Sequence, residues 1–136
     1  MKKSDKSRRK LLLAGLGSLG VQLAPGEARA QDAAKAMPRS YRVALDNDKL
    51  RVLEFTGRPG MGICGESMHS HPDHLTIILS DFQGKVTTPD GKVHDKALKL
   101  GDVFWAPAET HKLENTGRSN SRVLIVELKP PAPRKA

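Results

Sequence analysis

The sequence predicts an all-β domain, either a sandwich or a closed barrel, and three observations carry that prediction. Between Tyr41 and Lys129 the chain falls into about eight or nine short runs of β-branched, aromatic and leucine residues. Gly, Pro, Asn and Asp clusters interrupt these runs every eight to twelve residues or so, the spacing of hairpins and Greek keys. Beyond residue 30 no stretch sustains the 3.6-residue apolar period of an amphipathic helix.

The elements follow in order. "YRVAL" (41–45) and "LRVLEFTG" (50–57) alternate large apolar residues, and the turn-forming "DNDK" separates them. "RPGMGICG" (58–65) carries Pro59, Gly60, Gly62 and Gly65 and must be a loop. "LTIIL" (75–79) is the continuous apolar run of a strand buried on both faces. "KVTTPDGKVHD" (85–95) is a hairpin with Pro, Asp and Gly at its turn. "DVFWAP" (102–107), "HKLEN" (111–115) and "RVLIVELK" (122–129) complete the set, with "NTGRSNS" (115–121) as the last turn. The flanking "QDAAKAMP" (31–38) and "KPPAPRKA" (129–136) are expected to be unpacked tails.

The first thirty residues read differently. A charged start leads into Arg8-Arg9-Lys10, an apolar Gly-rich run spans Leu11 to Ala24, and Ala28-Arg29-Ala30 precedes Gln31. These are the n-region, h-region and small-x-small cleavage site of an export signal, and the paired arginines resemble the twin-arginine type. The run falls short of the ~20 apolar residues that a membrane span requires. The expected organisation is therefore a signal peptide at 1–30, a barrel at 40–129 and a flexible tail at 130–136, with a periplasmic or otherwise exported destination.

Excluding the signal changes the charge argument. Seven of the 23 Lys and Arg and two of the 15 Asp and Glu lie in residues 1–30, leaving 16 against 13 in the remainder. The full chain's +8 thus falls to +3, which argues against nucleic acid as a partner. Cys64 is the only cysteine, so no disulfide can form within the chain. It is either a small buried thiol or a residue bordering the same pocket as His69.

Chemistry concentrates in "MHSHPDH" (68–74). His69 and His71 are two apart on an extended segment, so both side chains point to one face. Pro72 then ends the regular ladder. Two imidazoles make half of a metal site, and His111, directly after the turn "APAET", is the candidate third donor. His94 lies among charges beside the hairpin turn and reads as a surface residue.

Read together, "HSHP" and "GDVFWAPAETHKLENTG" resemble the two motifs of the cupin superfamily, small double-stranded β-helix (jelly-roll) barrels. His69 and His71 fall into the first motif. Gly101, Pro107, His111 and Asn115 fall into the second, and the resemblance spans roughly Leu50 to Leu128. Two departures stand out. The first-motif glutamate would fall at Leu75 or Thr76, and the second motif is one residue short, with Glu109 in place of its glycine. Some superfamily members lack that glutamate and bind iron through three histidines. The resemblance therefore implies His69, His71 and His111 as ligands of one divalent metal. Iron is the first expectation, with Zn, Cu, Ni or Mn left open because imidazole suits them all.

Several residues keep two readings each. His74 is an additional ligand or a pocket residue, and Pro72-Asp73 place it at the barrel mouth. Glu109 is an acceptor behind a ligand imidazole or a solvent-facing turn residue. Thr76 and Trp105 are pocket-lining candidates, with packing as the plainer role for Trp105 and its neighbour Phe104. Glu54 and Glu66 are carboxylates able to reach into a barrel. Three neutral imidazoles leave a divalent metal its full charge, which favours anionic ligands such as enolates, carboxylates and thiolates. The expected function is a dioxygenase-type oxidoreductase acting on a small anionic or thiol substrate. A non-catalytic small-ligand module is the alternative. Beyond a small-molecule ligand, the candidate partner is a second copy of the chain.

Changing Arg8 and Arg9 together to lysine is expected to retain the precursor inside the cell. Cell fractionation with immunoblotting checks this, and mature protein in the periplasm would refute the twin-arginine reading.

Overall fold

The computed structural model describes residues 31–61 and 68–133. The first thirty residues, where the export signal is expected, Cys64, Glu66 and the last three residues lie outside them. Among the described residues, ten strands and one short helix follow in the order β1 (Gln31–Asp32), α1 (Ala33–Ala36), β2 (Tyr41–Asp46), β3 (Leu50–Gly57), β4 (His69–His71), β5 (His74–Ile78), β6 (Phe82–Thr87), β7 (Val93–Leu98), β8 (Val103–Ala106), β9 (Glu109–Asn115) and β10 (Ser121–Leu128). They form two five-stranded sheets, ordered β1-β4-β9-β6-β7 and β2-β3-β10-β5-β8. This is the double-stranded β-helix that the sequence predicts.

Period-two alternation decides what each strand buries. In β3, Leu53 and Phe55 point into the core while Glu54 points out, and in β10 Val123 and Ile125 point in. Glu54 therefore supplies no carboxylate to the interior. It forms ion pairs with Arg42 and Arg122 on the outer surface. That outer face carries its own apolar row, since Leu45, Val52, Val126, Leu75 and Trp105 occupy successive paired positions across five strands.

Two corners position the site. Between β4 and β5 the chain changes sheets through Pro72-Asp73. This corner is fixed by Asp73, whose side chain accepts from Ala108 N at 2.8 Å and whose carbonyl accepts from Leu128 N at 3.0 Å. The break resets the alternation, so His71 and His74, three apart, both face inward. At the opposite end Asn115 is 1% exposed and fully satisfied. It donates to Gly57 O at 2.8 Å and Ser119 O at 3.0 Å, and accepts from Gly117 N at 2.9 Å. In the second motif Asn115 is thus a structural staple. Gly101 is a turn residue with φ +92°, a conformation that favours glycine.

The segment 31–38 is not an unpacked tail. β1 runs parallel to β4, Asp32 caps α1 by accepting from Ala34 N at 3.1 Å, and Ala33 and Met37 are buried in the core. Sequence patterning missed it because the segment is too short to show a period. The C-terminal residues 130–133 carry no regular secondary structure, and no helix among the described residues is long and apolar enough to cross a membrane.

Gly84 of β6 lies against the neighbouring strand: an added Cβ would overlap the Glu114 carbonyl oxygen and meet the Phe82 ring at 2.5 Å. Gly84→Ala is expected to destabilise the barrel by about 1–3 kcal/mol, the usual cost of overpacking. Urea denaturation measures it, and an unchanged midpoint would contradict this packing.

Candidate metal centre

Three histidines converge because of one strand pairing. β4 runs antiparallel to β9 with His69 opposite His111 and His71 opposite Glu109. His69 and His71 share a face by alternation, and His111 joins them from across the ladder. One nitrogen from each lies within 4.8 Å of the others, and all three residues are buried. Ring centroids are 5.2 Å apart for His69–His71, 4.8 Å for His69–His111 and 5.4 Å for His71–His111.

The hydrogen bonding shows which lone pairs are available. His71 Nδ1–H donates to Glu127 Oε1 at 2.8 Å, which fixes the tautomer and turns Nε2 toward the cluster. His71 Nε2 and both ring nitrogens of His111 are buried without a hydrogen-bond partner. Polar atoms so placed are costly unless something binds them, and a metal cation is what the lone pairs of His71 Nε2 and of one His111 nitrogen, the other bearing its N–H, would donate to. His69 Nε2 lies 2.9 Å from the Tyr41 hydroxyl, a hydrogen bond that holds its ring. Metal–nitrogen bonds of ~2.0–2.1 Å at tetrahedral angles hold donors about 3.4 Å apart, so the three imidazoles would draw together by side-chain rotation around an ion. The residues present fit one metal ion.

Around this cluster, Glu109 Oε1 approaches His111 Nδ1 at 3.3 Å and His74 Nε2 at 3.6 Å. The His74 contact is too long for a hydrogen bond and the His111 contact does not form one, so Glu109 acts on both rings mainly through its charge. The His111 contact holds the Glu109 carboxyl below its usual range despite burial. His74 is 2% exposed, not at the mouth. Its Nδ1–H donates to Pro72 O at 2.7 Å and its ring stands 5.1 Å from that of His71, outside the three-donor group. Thr76 is buried on the inner face at one of the two positions where the motif glutamate would fall, and its hydroxyl can supply no carboxylate.

A cavity of about 390 Å³ opens beside the cluster, and Tyr41, His74, Glu109 and His111 line it on the cluster's side. Its walls are mostly apolar, from Phe55, Ile78, Phe82, Leu113, Val123 and Ile125, with Lys96 as a cation on its exposed side. Thr76 lines it as expected. Phe104 and Trp105 both border it, with Trp105 52% exposed at the rim on a strand position facing outward. His94 is exposed, as read from its charged neighbours.

Sequence reading missed Glu127 and Tyr41. Glu127 was legible in principle. In "RVLIVEL" the inward positions run Val123, Ile125, Glu127, and a carboxylate on a core-facing register asks for a buried partner. Tyr41 gave no such signal, since a tyrosine opening a strand is ordinary.

Burial holds the His71 imidazole below its usual value of 6.5; the Glu127 hydrogen bond opposes this and the His111 charge adds to it. The unfolded chain therefore takes up this proton first as pH falls, and stability falls with it. In metal-free protein the urea midpoint is expected to drop between pH 8 and pH 5.5, and His71→Asn is expected to shrink that drop. An equal drop in both proteins would exclude His71 as its source.

No protein-family model and no curated protein matches the chain. Among solved structures it is similar to a cupin domain from Bordetella pertussis Tohama I, 22% identical with a TM-score of 0.58, over 66% of this chain and 92% of that one. It is also similar to BH2720 from Bacillus halodurans, 21% identical with a TM-score of 0.52, over 81% and 78% of the two chains. Both likenesses are of fold.

Proposed function

The chain has the cupin fold, and on that premise we propose that it is a mononuclear metal protein in which His69, His71 and His111 hold one divalent ion, iron first among candidates. The observation that carries this reading is the set of buried, unpartnered nitrogens on His71 and His111, gathered with a nitrogen of His69. We further propose an exported dioxygenase-type oxidoreductase, its substrate an anionic oxygen or thiolate donor attached to an apolar body.

When bound, the metal would supply Lewis-acid chemistry or, as iron, oxygen chemistry at its open positions. The chain's own residues do the rest. Glu127 keeps His71 in the tautomer that leaves Nε2 free. Glu109 sets a negative charge beside His111, partly replacing the carboxylate missing from the ligand set. The apolar walls seat the substrate's body and exclude water, which strengthens every charge interaction at the cluster. Tyr41 and His74 face the cavity with groups able to hydrogen-bond a substrate heteroatom, and Lys96 attracts an anion toward the mouth.

Metal analysis of protein purified from its native compartment tests the reading, with oxygen uptake on candidate substrates separating turnover from binding alone. His111→Ala is expected to lose the metal while His74→Ala and His94→Ala retain it, all three remaining folded by circular dichroism. Metal content unchanged in His111→Ala, or lost equally in His74→Ala, would sink the three-histidine assignment.

A further inference from the structure

We propose that the segment from Gln31 to Tyr41 positions the two histidines of β4, so that its docking and metal binding are thermodynamically linked. The inference rests on the three-histidine reading above. β4 is only three residues long and Pro72 bars its extension. One of its flanks is bonded to β9, and the other is covered by β1, with Gln31 opposite His69 and Asp32 opposite Ser70. Burial of Ala33 and Met37 anchors this arm in the core.

Side chains extend the contact to both imidazoles. Asp32 pairs with Arg51, and Arg51 Nε donates to Glu127 Oε2 at 2.7 Å while its Nη2 stands 2.5 Å from the same oxygen. The other oxygen of Glu127 accepts the His71 Nδ1 proton. At the far end of the arm the Tyr41 hydroxyl meets His69 Nε2 at 2.9 Å. The need for this relay is electrostatic. Glu127 is 2% exposed, and a carboxylate so buried requires a compensating cation. A metal-binding His71 must be neutral, which leaves Arg51 as that cation. Arg51 is itself partly exposed, and Asp32 on the arm prevents its guanidinium from turning to solvent. If docking the arm favours metal binding, metal binding favours docking by the same factor.

The test titrates Co²⁺ into the full chain, as wild type, Asp32→Asn and Tyr41→Phe, and follows amide exchange at Ala33–Met37 with and without the ion. Asp32→Asn is expected to weaken Co²⁺ binding about ten-fold and Tyr41→Phe several-fold, in the range of changes behind a ligand. Co²⁺ is expected to slow exchange across Ala33–Met37. Affinities within two-fold of wild type in both variants, or exchange indifferent to Co²⁺, would overturn the proposal. A third readout uses metal-free protein: the His71 Nδ1 proton, seen by NMR, is expected to exchange faster in Asp32→Asn. If wild type takes up no Co²⁺, the three-histidine reading fails by itself. The imidazole proton then decides the arm's role, equal exchange in both proteins counting against it.

Discussion

The antiparallel register of β4 on β9 is the contact from which the rest of the site follows. Pairing His69 with His111 places imidazoles from two distant parts of the sequence at adjacent positions on one sheet face, and His71 joins them through the strand's two-residue period. A slip of one residue would turn His111 away from the cluster. The register is held on both sides: by the Pro72-Asp73 corner at the end of β4, and by the pairing of the second half of β9 with β6, where Asn115 lies opposite Gly84. The close approach at Gly84 and the staple at Asn115 therefore serve the site although neither touches it.

A second constraint is the treatment of charge. The ligand group contains no carboxylate, yet two carboxylates stand behind it, Glu127 on His71 and Glu109 beside His111. Negative charge is moved one step outward, where Glu127 orients the His71 ring and Glu109 acts on His111 through its charge. This leaves the inner surface of the cavity neutral and mostly apolar, with Lys96 and Glu109 as its charged members. Recognition of an apolar body and of an anionic head are thereby assigned to different parts of one cavity.

Much of this was legible in the sequence. Strands such as "LRVLEFTG" announce themselves because one buried face imposes a strict two-residue alternation, and β3 matches that run end to end. The His-x-His pair was legible for the same reason. His74 is a pocket residue but not at the mouth, because alternation cannot be extended across a corner, and only the sheet change at Pro72-Asp73 shows that the count restarts and buries it. Glu54 and Glu127 illustrate the opposite difficulty. Both sit in β-strands, one facing solvent and the other the core, and the face was decided by flanking apolar positions rather than by the residue itself. The segment 31–38 lay beyond reach, since two strand residues and one helical turn carry too few positions to display any period.

The corner between His71 and His74 has a consequence for how this chain can change. Substitutions at Pro72 or Asp73 alter local fit, but removing or adding one residue there shifts everything downstream by one step of the pleat. His74, Thr76 and Ile78 would turn to solvent, while Leu75 and Ile77 would be driven into the cavity. The spacing between the two histidines is therefore fixed in length more strictly than in composition, and deletions should be rarer than replacements among functional variants of this segment.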